Sequence, residues 1–457
     1  MHILDLPPEL FHTILVFSIL ARSPAKFSRS DVTLIFVVAR AFRLKLVCKA
    51  FYHAFQPALF ESRVLDRSES FERLREWPVR RHYGCDQLWH SYLAYRVRNE
   101  TDPTIGCFVE IRELAKEFCT ATQAGYDEIV DGCCWLALER GSNCPAENKF
   151  WTGGRTNPQL NLLSVAAYFG HLGLAKQLLN DGCCPVDHGL FESPMQLAAF
   201  AGNAEMVILF QNHLLGAQHI SFAKRYADSV NGAALRGGVD MLRLAIYPPT
   251  RPTPHSSDFN DQKFGNVDPH SDAGIILRDA LWLAKTRDVF EYIMSFFSRP
   301  CRLYYPYLTR NAINGNLEIV RSLLDAGWDV RGEDKQRNPP LALAARAYHE
   351  DIVDLLLERG ANPNRRVAFR RSALAAAAAG GSMRMVRKLM DYGANFNNKH
   401  EMKKIGMLRK AVLLEHTEMV NFFFDQGILD RICPESIRKE AKEEELESMV
   451  ELLKKWK

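Results

Sequence analysis

The chain has 457 residues, 47% hydrophobic and 25% charged, an ordinary water-soluble composition with ample material for an extended core. Its formal net charge of +4 is spread along the chain and is too mild to argue for a nucleic-acid partner. The longest apolar stretch runs from Leu34 to Ala41 with Arg40 inside it, far short of the roughly 20 residues that span a bilayer.

The first residues, Met1-His2-Ile3-Leu4-Asp5, lack the basic region and cleavage site of a signal peptide. Eleven cysteines, an odd number, are scattered over the chain. That usage fits buried thiols in a reducing compartment better than a disulfide framework. The expectation is an intracellular protein of the cytoplasm or nucleus, with no membrane partner.

Residues 1–65 read as two amphipathic helices. Pro8 is favoured near a helix start because its missing N–H would be unpaired there anyway, and Glu9 suits the helix dipole. Leu10, Ile14 and Leu15 then form an apolar face. A second face is formed by Leu44, Val47, Cys48, Phe51 and Phe55. The pattern Leu6-Pro7-x-Glu9-Leu10 with Ile14-Leu15, then Leu44-x-x-Val47-Cys48-Lys49-x-Phe51, resembles an F-box. It departs from that family in a lengthened stretch between the halves, including Ala21 to Ser30, which would spoil a docking face if it displaced a helix. The alternative is a plain helical cap for the rest of the chain.

Residues 66–150 read as a helical connector. Trp77, Tyr83, Trp89, Tyr92 and Tyr95 lie among arginines. Such residues can stack bases, but aromatic core covered by arginine stems is the favoured reading. A degenerate first copy of the downstream repeat is expected at Ala121 to Gly141.

From about residue 155 the chain repeats itself. Asn161 to Gly182 has two apolar helical stripes around a Gly170-His171 turn, and similar text recurs from Ser193 through Leu209. The pairs Ile319-Val320, Ile352-Val353, Met385-Val386 and Met419-Val420 are spaced by 33, 33 and 34 residues. Small residues such as Ala344, Ala345, Ala377 and Ala378 suit close packing of a first helix. The bulkier stripe of Ile352, Val353 and Leu355 to Leu357 suits a second helix. Gly360 and Gly393 are placed to end that helix in a left-handed cap. The period and the runs Leu356 to Asn364 and Met390 to Asn397 resemble ankyrin repeats. Such units bury both faces only by stacking. Repeats are expected over 155–247 and 273–432, with diverged copies at Ser229 to Ala245, Asp279 to Phe297 and Met407 to Gly427. Residues 248–272, rich in Pro, Ser, Asp and Asn, read as a flexible surface insertion. Residues 433–457 carry Leu446, Met449, Val450 and Leu453 at helical spacing, as a capping helix pair needs.

The fold expected is therefore all-α, a stack of helix pairs preceded by a small helical F-box-like module. The module order resembles fungal proteins that join an F-box to ankyrin repeats. That resemblance implies a substrate receptor of a Skp-cullin-F-box ubiquitin ligase, a monomer outside that complex. It places Leu6, Pro7, Glu9, Leu10, Ile14, Leu15, Val47, Cys48 and Phe51 against the Skp-type adaptor. An unknown target protein would be held by exposed finger residues: His188, Phe191, Trp328, Arg331, Asp334 and Arg337, then Arg365, Arg366, Arg370 and Asn397. The competing reading is an ankyrin scaffold whose first helices only cap the stack.

No catalytic or metal site is expected, and no cofactor. Cys133-Cys134, Cys144 and Cys183-Cys184 lack zinc-site spacing and are expected as buried thiols at helix ends of repeat-like units. Neither a P-loop nor a Gly-x-Ser-x-Gly elbow occurs, and Gly232 to Gly238 has no strand before it. A non-enzymatic protein is expected.

Overall fold

A computed structural model describes residues 8–21, 49–63, 85–101, 106–140, 157–215, 220–247, 249, 267–297, 307–332, 339–365, 372–379, 381–395, 401–427, 434–444 and 446–455. Every regular element among them is an α-helix, as the sequence pattern implied. The chain divides into a middle unit, residues 84–307 with 318–323, and a terminal unit, residues 1–83 with 308–317 and 324–457.

The middle unit opens with three long helices that pack on one another: α3 (Cys85–Asn99), α4 (Gly106–Thr122) and α5 (Tyr126–Arg140). The helices before them, α1 (Pro8–Ala21) and α2 (Lys49–Glu61), belong to the terminal unit. The aromatic and basic residues of this stretch build a core, as read from the sequence. Tyr92 is buried, and Arg96 lies buried in an ion pair with Glu100 and over the Phe108 ring at 4.5 Å. Trp77 and Tyr83 lie outside the described residues. The expected early copy at Ala121 to Gly141 falls on the end of α4, the turn and α5, with Gly141 outside the described residues; the helix paired with α5 is the whole of α4, which packs onto the first helix of the next pair. Sequence reading missed α4 because its stripe of Phe108, Ile111, Leu114, Ala115 and Phe118 has a single alanine, where the next three first helices carry two together.

Four helix pairs come next: α6 (Pro158–Phe169) with α7 (Leu172–Asn180), α8 (Pro194–Ala201) with α9 (Ala204–Leu215), α10 (Phe222–Arg236) with α11 (Val239–Ile246), and α12 (Asp272–Leu283) with α13 (Arg287–Met294). The first helices stack in series, α6 on α8, α8 on α10 and α10 on α12. Ala166, Ala167, Ala198, Ala199, Ala233 and Ala234 are all fully buried along that stack. Gly232 shows how close the backbones come, since a Cβ there would sit 2.2 Å from the Gln196 carbonyl oxygen. Of the glycines in that stretch Gly232 therefore serves packing, while Gly237, at φ 88°, caps α10. The diverged copies at Ser229 to Ala245 and Asp279 to Phe297 fall in two complete helix pairs, whose first helices begin earlier, at Phe222 and Asp272. Of the expected insertion only residues 249 and 267–272 are described; Val267 donates its N–H to the Phe296 carbonyl at 3.0 Å.

Neighbouring turns are tied by hydrogen bonds. Asn203 Nδ2 donates to the Ala167 and Tyr168 carbonyls at 2.8 and 2.9 Å. Arg236 reaches the Phe200 carbonyl, and Thr286 Oγ1 the Gly237 carbonyl at 3.0 Å. These bonds satisfy helix-end carbonyls that have no partner within their own helix.

The unit boundary falls within α14 (Tyr307–Asn314) and α15 (Leu317–Asp325). In the terminal unit come α16 (Pro340–Arg346) with α17 (Glu350–Glu358), α18 (Ala373–Ala379) with α19 (Met383–Asp391), α20 (Glu401–Leu413) with α21 (Thr417–Asp425), and α22 (Pro434–Glu443) with α23 (Glu447–Lys454). Again the first helices stack in order from α16 to α22. Gly360 and Gly393 have φ of 85° and 83°, a region that costs glycine nothing and other residues strain. The amide of Gly360 returns to Leu357 O and that of Ala361 to Leu356 O, closing α17 as a left-handed cap does. In the last pair Ile437, Ala441, Leu446, Met449 and Leu453 are buried.

Candidate functional site

Two kinds of surface come into question, the α1–α2 pair of the terminal unit and the fingers, which occur in each unit and are taken separately. The first is the pair α1 and α2, which pack on each other. Phe11 and Leu15 of α1 are buried, as are Phe55, Ala58, Leu59 and Phe60 of α2. His12 Nε2 meets Glu61 Oε2 at 2.6 Å across the pair. On the other side of α1, Ile14 is 37% and Phe17 65% exposed, one helical turn apart on the same face.

Of the residues expected against an adaptor, Ile14 is thus on the surface. Leu15 is 1% exposed and holds the helices together, so its placement on the docking face is corrected: its side of α1 is the one that needs burial against α2. Glu9, Leu10 and Phe51 are helical. Leu6, Pro7, Val47 and Cys48 lie outside the described residues. Sequence reading missed Phe17, although its position three residues after Ile14 was the available signal.

The second surface is built from the fingers that link helix pairs. The best described runs from Gly182 to Glu192. Its Val186, Leu190 and Phe191 are buried, and Met195 N donates back to the Pro185 carbonyl at 2.8 Å. Asn161 on α6 braces it, accepting from Leu190 N at 2.7 Å and donating to Glu110 Oε1 at 2.9 Å. Burial raises the Glu110 carboxyl, and the Asn161 bond partly opposes that. Ser193 then caps α8, its Oγ accepting from Gln196 N at 3.2 Å.

Phe191 was expected on the target surface and this is corrected. Its ring is wholly buried, because a side chain of that size gains about 1.5–3 kcal/mol from leaving water and the finger folds back over it. His188 is exposed, with Nδ1 3.4 Å from Glu192 Oε2. Lys224, from α10, reaches Asp187 Oδ1 at 3.0 Å. Asp187, Glu192 and Lys224 share this surface with His188, and the helical pattern alone did not single them out.

Further along, Trp328 is half-buried and Arg331 exposed. Arg331 Nε donates to Asp329 Oδ1 at 3.0 Å, which holds the Asp329 carboxyl below its usual range. Arg365 donates to the Arg331 carbonyl at 2.9 Å, so part of its guanidinium joins one finger to the next. Asn364 does likewise, donating to the Gly393 carbonyl at 2.7 Å and accepting from Asn395 N at 3.0 Å. Asp334, Arg337, Arg366, Arg370 and Asn397 lie outside the described residues.

The thiols are also placed. Cys133 and Cys134 are both buried, and burial pushes the Cys133 thiol up. They sit inside α5, which corrects their expected place at a helix end; with α3 and α4 packed on it, both positions find cover. Cys183 is buried and Cys184 half-buried after α7. Cys144 lies outside the described residues.

Residues 304–367 match the family model for ankyrin repeats, in three copies. The stacked helix pairs on either side of that segment are ankyrin-like in the same way, and the fold is an all-α ankyrin-repeat architecture. Over 128 residues the chain is 30% identical to a transient receptor potential cation channel subfamily A member 1 homologue from Caenorhabditis elegans. That match covers 27% of this chain and 10% of the relative. The chain therefore spans about a tenth of that protein's length. No described helix is long and apolar enough to cross a membrane. Ankyrin repeats bind other proteins through fingers and first helices, so the chain's coarse function is protein–protein interaction.

Proposed function

We propose that this protein is the substrate-recognition subunit of a Skp-cullin-F-box type ubiquitin ligase. The observation that carries the reading is the α1–α2 pair. Its inner side is closed by Phe11, Leu15, Phe55 and Leu59, while Ile14 and Phe17 stand exposed together. A helix that keeps two large apolar side chains in water offers an anchor for another protein. With the F-box-like sequence of residues 6–15 and 44–51, that anchor suits a Skp-type adaptor in a cullin complex. The ankyrin surface would hold the target, and catalysis would consist of positioning its lysine by binding energy, with no chemistry on this chain. It would work in the cytoplasm or nucleus, as a monomer outside the complex.

The second reading is an ankyrin scaffold whose first helices only cap the stack; the buried α1–α2 seam favours it. One experiment separates the two: co-purification of the full chain with a Skp-type adaptor, beside an Ile14→Glu/Phe17→Glu variant. Retention by the wild type and loss in the variant, with unchanged helicity, is the expected result. A folded wild type that never retains the adaptor would leave only the scaffold.

A further inference from the structure

Asparagine is a poor residue for a helix interior, and its amide is costly to bury without partners. Asn161 nevertheless lies inside α6 and is 1% exposed. Comparison of two repeats explains why its side chain is spare. Asn161 stands five residues before the pair Ala166-Ala167, as Ser193 stands five before Ala198-Ala199. Ser193 is the cap of α8. The α6 helix begins one turn earlier, and its cap is Asn157, whose Oδ1 accepts from Gln159 N at 3.1 Å. The position that caps one helix is therefore interior to the other, and its side chain is left for another task.

That task is set by two partners. Leu190 N can only donate, so the atom 2.7 Å from it is Asn161 Oδ1, and Nδ2 faces Glu110 Oε1 on α4 at 2.9 Å. Asn161 thus touches α4 on one side and the finger 182–192 on the other. The finger is shaped to receive it, since a Cβ at Gly189 would come 2.2 Å from Asn161 Oδ1. One turn further along α6, Ser164 Oγ donates to the Glu192 carbonyl at 3.3 Å. With these fastenings in place, residues 185–191 are buried except for the tip, Asp187 and His188.

We propose that Asn161 is a positioning residue of the partner surface: through it Glu110 on α4 fixes the finger 182–192, so that the tip is set before any partner arrives. The three-helix group is then part of the recognition apparatus, because a finger ordered in advance loses less entropy on binding. This rests on the reading of the fingers as the partner surface. The order of the finger is measured with neither partner nor adaptor present, so its failure is distinct from failure of that reading.

The test is amide hydrogen exchange of the full-length chain, with the donor–acceptor order first broken and then reversed. The Leu190 amide should be protected in the wild type. Asn161→Asp keeps the acceptor for Leu190 but turns an oxygen toward Glu110. Exchange at Leu190 should rise about tenfold, the scale of one buried hydrogen bond lost, while Ala198 and Ala199 in α8 should not follow. Glu110→Gln/Asn161→Asp reverses the bond, the glutamine nitrogen now donating, and should bring Leu190 back to within about twofold of the wild type. Glu110→Ala, at a half-buried position, is the milder variant and should raise Leu190 exchange about threefold. A Leu190 amide that exchanges freely in the wild type would sink the inference, since the finger would not be set in advance. Single variants indistinguishable from the wild type would sink it too, as would a double variant without recovery. Exchange rising equally at Leu190 and Ala198 would make Asn161 a support of the whole stack and nothing more.

Discussion

Within the middle unit, two successive groups of helices are held together by opposite means. From α6 to α11 the facing positions are alanines, the backbones lie close, and each turn donates hydrogen bonds to the turn before it. From α3 to α5 the helices are longer, and the core contains Tyr92, Phe118 and the buried Arg96–Glu100 pair. The repeats spread stability over many similar small contributions, as quasi-one-dimensional stacks do. The three-helix group concentrates it in a few large ones. A chain that must present variable fingers gains from the first arrangement, since no single finger residue carries the stack.

That contrast makes its strongest prediction at Glu100. Changing Glu100→Gln leaves the Arg96 guanidinium buried beside a neutral partner, and should cost about 3–5 kcal/mol. Replacing both members with apolar residues, Arg96→Met/Glu100→Leu, should restore most of that loss. Denaturant unfolding followed by circular dichroism measures both. A single-variant loss near zero would show that the three-helix group does not concentrate its stability at all.

In the repeats the corresponding weak point is steric. Gly232→Ala puts a methyl against the Gln196 carbonyl and should cost about 1–3 kcal/mol by forcing α8 and α10 apart. Thermal melting would show it, and an unchanged midpoint would mean that the stack yields more easily than its close packing suggests.

The smallest effect concerns one turn-to-turn contact in the terminal unit. His349 Nε2 lies 3.3 Å from the Ile313 carbonyl, and burial holds its imidazole below the ordinary value of 6.5. The unfolded chain therefore takes up this proton first as pH falls. The contribution is complete above the unfolded value and declines as pH drops from there through the lower folded value. Midpoints measured near neutrality and at about pH 5 should differ less in His349→Gln than in the wild type. Equal slopes in the two proteins would remove the histidine from the account.

How much of this was legible beforehand differs along the chain. Pairs such as Ile352-Val353 and Met385-Val386 recur because each second helix buries the same positions. Their spacing therefore reports the fold directly. The α4 helix carries Phe108, Ile111 and Phe118 around a single buried alanine, Ala115, so its place in the stack was not written in any repeat. Exposure was also illegible at Phe191. A finger residue looks like surface until the chain is seen to fold back over it. At Phe17 the signal existed, but a helical stripe does not say which side of it a second helix will cover.

Sequence by itself determined the helical class, the period of the repeats and the left-handed ends at Gly360 and Gly393, because these follow from local conformation and from spacing along one helix. Only the tertiary structure decided that Leu15 faces inward while Ile14 and Phe17 do not. It alone brought Lys224 to Asp187 and Asn161 to the Leu190 amide. Burial and electrostatics depend on groups distant in the chain, and those distances are settled only when the helices pack.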